Sequence, residues 1–451
     1  MGQGSMLVVI LLAAIVLMLL LISKFHVHPF AALFAVALVM GLCVGMKPMD
    51  VLNTILNGFG NTCRGIGIII LLGTIIGVML EKSGAAFTMA DSVLKIVGDK
   101  RPAIAMSLTG SIVSIPVFCD SVFVILSSLN KSLSRRSGIS LGTMAIALST
   151  GLFATHNLVP PTPGSIVAAD KLGADLGLVI MWGIFASIPA IIGGYLYACA
   201  IGSKLVLNVE EGESYEELKA KYSELPSAFK SFAPIIVPLI LIGISSVVNY
   251  PAILAKIGKD TAVHSAASFL GNPVIALTIG LILCFFLIPK LTQEVTHGWI
   301  GEGVKEGANI IMITAAGGSL GAIIAVSGVG NYIGAALKDL NLGLLLPFII
   351  AAALKTAQGS STVAIITTAG IITPMLCSLG LGGSSMEPVL ATLAIGCGSM
   401  VVSHANDSYF WVVTQFSGME VGTAYKAQTM ATLVEGLCGL AAVYAIPAVM
   451  L

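Results

Sequence analysis

Apolar segments of membrane-spanning length recur from one end of this chain to the other. Examples are residues 6–22, 29–46, 66–80, 176–201 and 234–248, and a helix of about 20 apolar residues crosses the hydrocarbon core of a bilayer. Hydrophobic residues make up 57% of the 451 residues and charged residues only 10%, against about 25% charged in soluble domains. The sequence therefore predicts an all-α polytopic protein embedded in a lipid bilayer.

Composition and motifs exclude several other classes of protein. The 22 basic residues balance the 22 acidic ones, so the chain lacks the excess positive charge that a nucleic-acid partner requires. The eight cysteines lie singly, without a C-x-x-C pair for a metal or redox centre, and no zinc-protease or nucleophile motif is present. We therefore expect no bound metal or cofactor and no enzyme, while an intramembrane enzyme or a channel remain the alternatives outside carrier-type transport.

The two halves of the chain carry weakly similar patterns. Residues 28–33 (HPFAAL) return as residues 272–277 (NPVIAL), and Gly73 is matched by Gly317 at the same offset of 244 residues. Such self-similarity indicates an internal repeat. The predicted organisation is a first repeat at 1–202, a polar connecting loop at 203–231 and a second repeat at 232–451.

Each half also holds an apolar region that is interrupted at its middle. Residues 103–129 carry Pro116 and Asp120 at their centre, and residues 344–372 carry the polar string KTAQGSST at 355–362. Each arm has only about 13 residues, or roughly 20 Å at helical rise, which is too short to cross the bilayer. A re-entrant hairpin in each half fits this length.

A second interruption follows each hairpin, at residues 155–164 (THNLVPPTPG) and 403–408 (SHANDS). Three prolines within four positions cannot continue a helix, and irregular backbone at membrane depth is tolerated only inside protein or around a cavity. Each repeat is therefore predicted to contain about five transmembrane helices, one re-entrant hairpin and one unwound helix break.

The distribution of lysine and arginine predicts the orientation. With five crossings per half, fifteen of the 22 basic residues lie in loops on one side and five on the other, and the richer side is cytoplasmic. The 203–231 loop is then cytoplasmic, and both termini are periplasmic or extracellular in a bacterial-type inner membrane. An odd number of crossings makes the two repeats inverted, which is typical of alternating-access carriers. A homodimer is compatible with this architecture.

The polar residues of the four interruptions form the predicted substrate site. Ends of broken helices present free amide groups and partial positive charge, which suit an anionic substrate. Gly359 and the hydroxyl groups after it would let a carboxylate approach closely, and Lys355 would add a countercharge. The predicted substrate-binding residues are Ser114, Asp120, Ser121, Thr155, His156, Asn157, Thr162, Lys355, Gln358, Gly359, Ser360, Ser361, Thr362, Ser403 and Asn406.

Four titratable residues are candidates for proton coupling: His156, His404, Asp120 and Asp407. Histidine titrates near physiological pH without help from its surroundings, and the two histidines occupy equivalent positions in the two halves. The neighbourhood of His404 and Asp407 is favoured. In the alternative interpretation, the aspartates cap helices or pair with Lys355, and the histidines are hydrogen-bonded core residues.

Four strings together resemble the gluconate permease family of proton symporters, in the ion-transporter superfamily. They are 115–121 (IPVFCDS), 156–164 (HNLVPPTPG), 359–364 (GSSTVA) and 404–411 (HANDSYFW). The resemblance extends over essentially the whole chain and implies proton-coupled uptake of gluconate or a related sugar acid. Thr162 stands where other members often carry histidine, so the resemblance does not fix the substrate.

Two other transport functions remain open at this point. A sodium-coupled organic-anion carrier would have the same architecture, because hydroxyl groups and unwound carbonyls also suit sodium. A permease of the same family for D-serine or a glycerate-like acid is the other alternative. Uptake driven by a pH gradient without sodium separates the first of these from proton symport.

Overall fold

The computed structural model describes residues 3–98, 101–205, 207, 225–249, 251–259, 261–329, 342–405 and 407–449. Helices dominate this part of the chain, and it contains no β-strand, so the all-α prediction is confirmed. The helices of the first half are α1 Gln3–Leu19, α2 Pro29–Cys43, α3 Pro48–Lys82, α4 Ala85–Val97, α5 Pro102–Val113, α6 Cys119–Ser137, α7 Leu141–Leu158, α8 Pro163–Leu172 and α9 Leu176–Ala200.

The second half follows with a similar order of long and short helices. Its helices are α10 Ala228–Asn249, α11 Pro251–Ile257, α12 Ala262–Leu270, α13 Pro273–Cys284, α14 Ile300–Ser327, α15 Leu345–Gln358, α16 Ser361–Ile372, α17 Glu387–Met400, α18 Ser408–Phe416, α19 Val421–Ala424 and α20 Met430–Val449. One π-helical turn, Glu294–Trp299, precedes α14, and another, Tyr425–Thr429, precedes α20. Most of the predicted 203–231 loop lies outside the described residues.

Five helical segments of the described chain are long and apolar enough to cross a membrane. They are Pro48–Lys82, Leu176–Lys204, Ala228–Asn249, Glu294–Ser327 and Val421–Ala448. The pair Ala262–Leu270 and Pro273–Leu287, bent by 62°, makes a sixth if it is one span. Several shorter apolar helices, including α5, α15 and α16, are not long enough to cross alone.

The two longest helices, α3 and α14, pack against each other at the centre of the molecule. The Thr74 hydroxyl donates to the Gly303 carbonyl at 2.8 Å, and the Ser319 hydroxyl donates to the Ile55 carbonyl at 2.9 Å. A Cβ at Gly58 would lie 2.7 Å from the Gly318 carbonyl oxygen. Small residues thus allow the two backbones, one from each half, to approach closely.

The interrupted regions form helical hairpins. The first joins α5 and α6 through residues 114–118, and the second joins α15 and α16 through residues 359–360. With 12 residues each, α5 and α16 are about 18 Å long, well short of the hydrocarbon core. Each sequence-predicted interruption therefore lies at a connection to at least one helix that is too short to cross the bilayer alone.

The first helix break starts later than the sequence predicts. Helix α7 continues through Leu158, and the Val159 amide still donates to the Thr155 carbonyl at 2.9 Å. The predicted unwinding from 155 to 158 is therefore wrong, because the first residue without an amide donor is Pro160. The non-helical stretch is residues 159–162.

The contact between α5 and α7 provides a test of this packing. A Cβ at Gly151 would lie 2.1 Å from the Ser107 carbonyl oxygen, so Gly151→Ala must push the helices apart. We expect a loss of about 1 to 3 kcal/mol in unfolding free energy, as for overpacked cores, measured as a lower Tm in detergent. The matched control is Gly60→Ala in α3, where a Cβ has no neighbour within 4 Å. Equal Tm values for the two variants would contradict the packing.

Candidate functional site

A cavity of about 210 Å³ lies where three helices begin. Its wall includes residues 118–120 at the start of α6, residues 360–363 at the start of α16 and residues 407–409 at the start of α18. The first amides of a helix have no partner within that helix, and its N-terminus carries partial positive charge. Three such ends from two halves of the chain therefore face one volume.

The local sequence explains why these helices begin where they do. Gly359, at φ 88°, ends α15, and the Ser360 hydroxyl then accepts from the Val363 amide at 3.3 Å to cap α16. The Asp407 carboxylate accepts from the Tyr409 amide at 3.1 Å and caps α18. Ser, Asp and Gly are the residues that such helix ends favour.

Helices α7 and α14, together with Ile366 of α16, supply the rest of the cavity wall. Phe153 and His156 come from α7, whereas Asn309, Ile310 and Ile313 come from α14. The wall is thus partly apolar, with a small number of polar groups. This composition is typical of a site that orients a small molecule.

Lys355 and Asp407 form a buried ion pair beside the cavity, and they are 0% and 6% exposed at the side chain. The Lys355 ammonium group also donates to the Gly359 carbonyl and lies 5.8 Å from the centre of the Phe153 ring. The Asp407 carboxylate accepts further from the Ser403 hydroxyl. One ion pair therefore ties the end of α15, the break before α18 and the start of α18 together.

The structure brings part of the predicted site into the cavity wall. The predicted residues that line it are Asp120, His156, Ser360, Ser361, Thr362 and Asp407. Asp120 Oδ1 and His156 Nδ1 are both buried and have no hydrogen-bond partner within the described chain. Each of these two wall residues therefore carries a buried polar atom that the described chain leaves unpaired.

Five predicted residues of the first half are not part of the cavity wall. The Ser114 hydroxyl donates to the Val117 carbonyl at 3.3 Å and stabilises the hairpin turn. The Asn157 amide donates to the Phe153 carbonyl at 2.7 Å, and the Thr162 hydroxyl donates to the Val159 carbonyl at 3.0 Å. Thr155 is buried, and its hydroxyl has no partner in the described chain. Ser121 is half-buried and follows Asp120 in the first turn of α6.

The predicted residues of the second half divide similarly. Three of them do not line the cavity but contact its wall or each other. Lys355 donates to the Gly359 carbonyl and to Asp407, and the Ser403 hydroxyl also donates to Asp407. His404 Nε2 lies 2.7 Å from the Thr356 carbonyl oxygen and does not line the cavity. The Gln358 side chain and the whole of Asn406 lie outside the described residues.

Sequence reasoning did not select several residues of the wall. Asn309 lines the cavity from within the uninterrupted helix α14, so no proline or glycine break in the sequence indicates it. The sequence signal that could have identified it is a single amide side chain within a mostly apolar helix. Phe118 and Tyr409 stand inside motif strings but were not assigned a role. No group of three His, Cys, Asp or Glu side chains in the described ranges is arranged to hold a metal ion.

Comparison with known proteins places this chain in a family. Residues 6–449 match the model described as GntP family permease. An uncharacterized permease of Haemophilus influenzae is 38% identical over 88% of this chain and 83% of its own length. A gluconate permease of Pseudomonas aeruginosa is 32% identical over 93% of both chains. A D-serine transporter of Escherichia coli is 31% identical over 94% of both chains.

A solved structure shares the fold at low sequence identity. Neisseria gonorrhoeae MtrF, described as one of a class of antimetabolite efflux pumps, superposes with a TM-score of 0.66 at 14% identity, over 95% of this chain and 96% of its own. The similarity supports a helical membrane-transporter fold. The family match, the relatives and the apolar helices lead to one conclusion: this chain belongs to the GntP family of permeases, and it is a multi-pass membrane transporter rather than an enzyme.

Proposed function

We propose that this protein is a secondary active transporter that carries gluconate or a related sugar acid into the cell together with a proton. The observation that carries the proposal is the convergence of three helix N-termini on one cavity. A carboxylate bound there would accept hydrogen bonds from free amides and gain from the partial positive charge of each helix end. Asn309 and the hydroxyl groups of Ser360 and Thr362 would bind the substrate hydroxyls.

The charge of the cavity supports an acidic substrate. Asp407 is compensated by Lys355, which leaves Asp120 as the carboxyl group in the wall without an ion-pair partner among the described residues. A proton on Asp120 would remove the repulsion between this group and a bound carboxylate. Proton binding and anion binding would then favour each other, as symport requires.

The second candidate is D-serine, the substrate named for one relative. An ionised Asp120 would suit the ammonium group of such an amino acid while the helix ends hold its carboxylate. A sodium-coupled carrier is the remaining alternative, and it predicts uptake that depends on sodium.

The uptake experiment separates these candidates. Purified protein in sodium-free proteoliposomes with an alkaline interior should accumulate labelled gluconate roughly tenfold for each pH unit if one proton is coupled, since 1.4 kcal/mol is a factor of ten. Ser361→Leu places a large side chain in the cavity and should abolish uptake, while Ser385→Leu, at an exposed position of the loop before α17, should not. Uptake that requires sodium, or that D-serine alone supports, would contradict the proposal.

The architecture proposed for this transport is a pair of inverted repeats in a bacterial inner membrane. The similar order of helices in the two halves and the contact between α3 and α14 support it. In such carriers, one repeat moves against the other around a central site. A homodimer is proposed as the assembly, and crosslinking in native membranes would test it.

The orientation follows from the basic residues, with both termini outside and the 203–231 loop in the cytoplasm. A cysteine introduced at Ser214 should then resist impermeant thiol reagents in intact cells and react after the membrane is opened. Cys43, Cys199 and Cys377 are exposed, so they are replaced by serine in the background. Rapid labelling of intact cells at position 214 would overturn the orientation.

A further inference from the structure

A carboxylate that does not line the described cavity is buried without a partner. Glu435 lies in α20, whose other residues include no acidic or basic side chain. Its side chain is fully buried, and neither carboxylate oxygen has a hydrogen-bond partner in the described chain. None of the ion pairs among the described residues includes it. An isolated charge inside a membrane protein is costly, and such residues mark substrate or proton pathways.

Glu435 belongs to a polar face of an otherwise apolar helix. Gln428, Thr432 and Glu435 recur at spacings of four and three residues, which places them on one side of the helix. All three are 0% exposed. We call these three residues the polar face of α20, counting the π-helical turn that precedes the helix.

One route of hydrogen bonds connects this polar face to the wall of the cavity through Ser149. The Ser149 hydroxyl donates to Gln428 Oε1 at 2.7 Å, and the Ser149 carbonyl accepts from the Tyr409 hydroxyl at 2.9 Å. Tyr409 lines the cavity. The amide nitrogen of Gln428 is itself buried without a partner in the described chain.

A second route of hydrogen bonds connects the polar face to the ion pair through Ser403. Thr432 Oγ1 accepts from the Ser403 amide at 3.1 Å, and the Ser403 hydroxyl donates to Asp407. Thr432 is one helical turn before Glu435. Glu435 therefore lies one helical turn from Thr432, the residue that binds the backbone of the break before α18.

The groups that face Glu435 leave it without a countercharge. Helix α17 contributes Cys397, whose carbonyl oxygen would lie 2.8 Å from a Cβ at Gly436 and whose Sγ would lie 2.9 Å from one at Gly439. Helix α9 contributes Gly193, which faces Cys438 of α20 itself. The titratable groups around Glu435 are thus the thiols of Cys397 and Cys438 and the phenol of Tyr409.

We propose that Glu435 is a proton-binding site of the transport cycle, connected to the substrate cavity through the polar face of α20. A hydronium ion gives a proton to a carboxylate oxygen of Glu435: one O–H bond breaks in hydronium, which becomes water, and one O–H bond forms on the carboxyl group. The reverse step returns the proton to water. This inference rests on the proposed proton symport and adds to it a carboxyl group that does not touch the substrate.

The variant Glu435→Gln tests the proposal, because glutamine imitates the protonated carboxyl group but cannot release a proton. In proteoliposomes we expect it to keep gluconate exchange under counterflow. We expect it to lose the roughly tenfold accumulation that one pH unit sustains in the wild-type protein. Ser149→Ala, which removes the hydrogen bond to Gln428, should also lower gluconate accumulation. Thr368→Val, at a buried hydroxyl of α16 away from this face, should leave it unchanged.

Infrared difference spectra provide an independent readout. Gluconate binding should change a carboxyl band in the wild-type protein that is absent from Glu435→Gln. Full accumulation in Glu435→Gln, loss of exchange and accumulation together in the folded variant, or no change of such a band would each overturn the proposal. Wild-type protein that binds gluconate but fails to accumulate it under a pH gradient would instead reject proton symport, while the infrared result still decides whether Glu435 changes protonation on binding.

Discussion

Lys355→Met is expected to destabilise the folded protein by about 3 to 5 kcal/mol and to abolish transport. The substitution leaves Asp407 charged and buried without its countercharge, and removal of one partner of a buried pair costs about this much. Lys355 is 0% exposed, so water cannot replace the lost ammonium group. A loss of this size is a large fraction of the total stability of a typical domain, and the measurement is thermal unfolding of purified protein in detergent.

The double variant Lys355→Met with Asp407→Asn supplies the control, because it removes both charges. It should be less destabilised than the sum of the two single variants, which a double-mutant cycle measures directly. A second control is Lys95→Met: the Lys95 side chain is 70% exposed in its pair with Asp91, and exposed pairs on a helix contribute only about 0.3 to 0.5 kcal/mol. Equal destabilisation by Lys95→Met and Lys355→Met would refute the structural role of the buried pair.

Asp120→Asn is expected to abolish pH-driven accumulation of substrate while exchange under counterflow continues. Asp120 lies in the cavity wall, and its Oδ1 atom has no partner in the described chain, so a proton there would sit beside the bound carboxylate. Asparagine keeps the shape of the side chain but cannot ionise. Accumulation should fall from roughly tenfold per pH unit to about one, measured with labelled gluconate in proteoliposomes.

The matched comparison is His404→Gln. His404 Nε2 lies 2.7 Å from the Thr356 carbonyl oxygen, and His404 does not line the cavity. Because the glutamine side chain keeps an N–H donor for this carbonyl, accumulation should stay near that of the wild-type protein. Asp407 is held by Lys355 and Ser403, which argues against a proton carrier at this position, although its predicted coupling role stays a prediction. Full accumulation in Asp120→Asn together with loss in His404→Gln would return the coupling site to the neighbourhood of His404 and Asp407.

The interruptions of the helices could be predicted from the sequence because their causes are local. Pro160 lacks an amide donor and stops α7, and Gly359 adopts a positive φ that ends α15. Ser360 and Asp407 then cap the helices that follow. These residues act through neighbours in the chain, so their pattern is visible without a tertiary structure.

The composition of the cavity could not be predicted in the same way. Asn309 reaches it from the middle of α14, and Phe153 from within α7, where the local sequence is helical on both sides. Conversely, Asn157 and Thr162 lie in a predicted break but hydrogen-bond to their own backbone neighbours. Which face of a helix borders a cavity depends on the helices packed against it.

The sequence by itself determined the apolar helices, the places where they break and the family to which the chain belongs. These depend on residue type and on spacing along the chain. The tertiary structure alone decided that Lys355 pairs with Asp407, 52 residues away, and that Gln428 receives its hydrogen bond from Ser149, 279 residues away. Helix packing brings such partners together. Because the free energy is gained only when both residues are in contact, the type and position of one residue do not identify its partner.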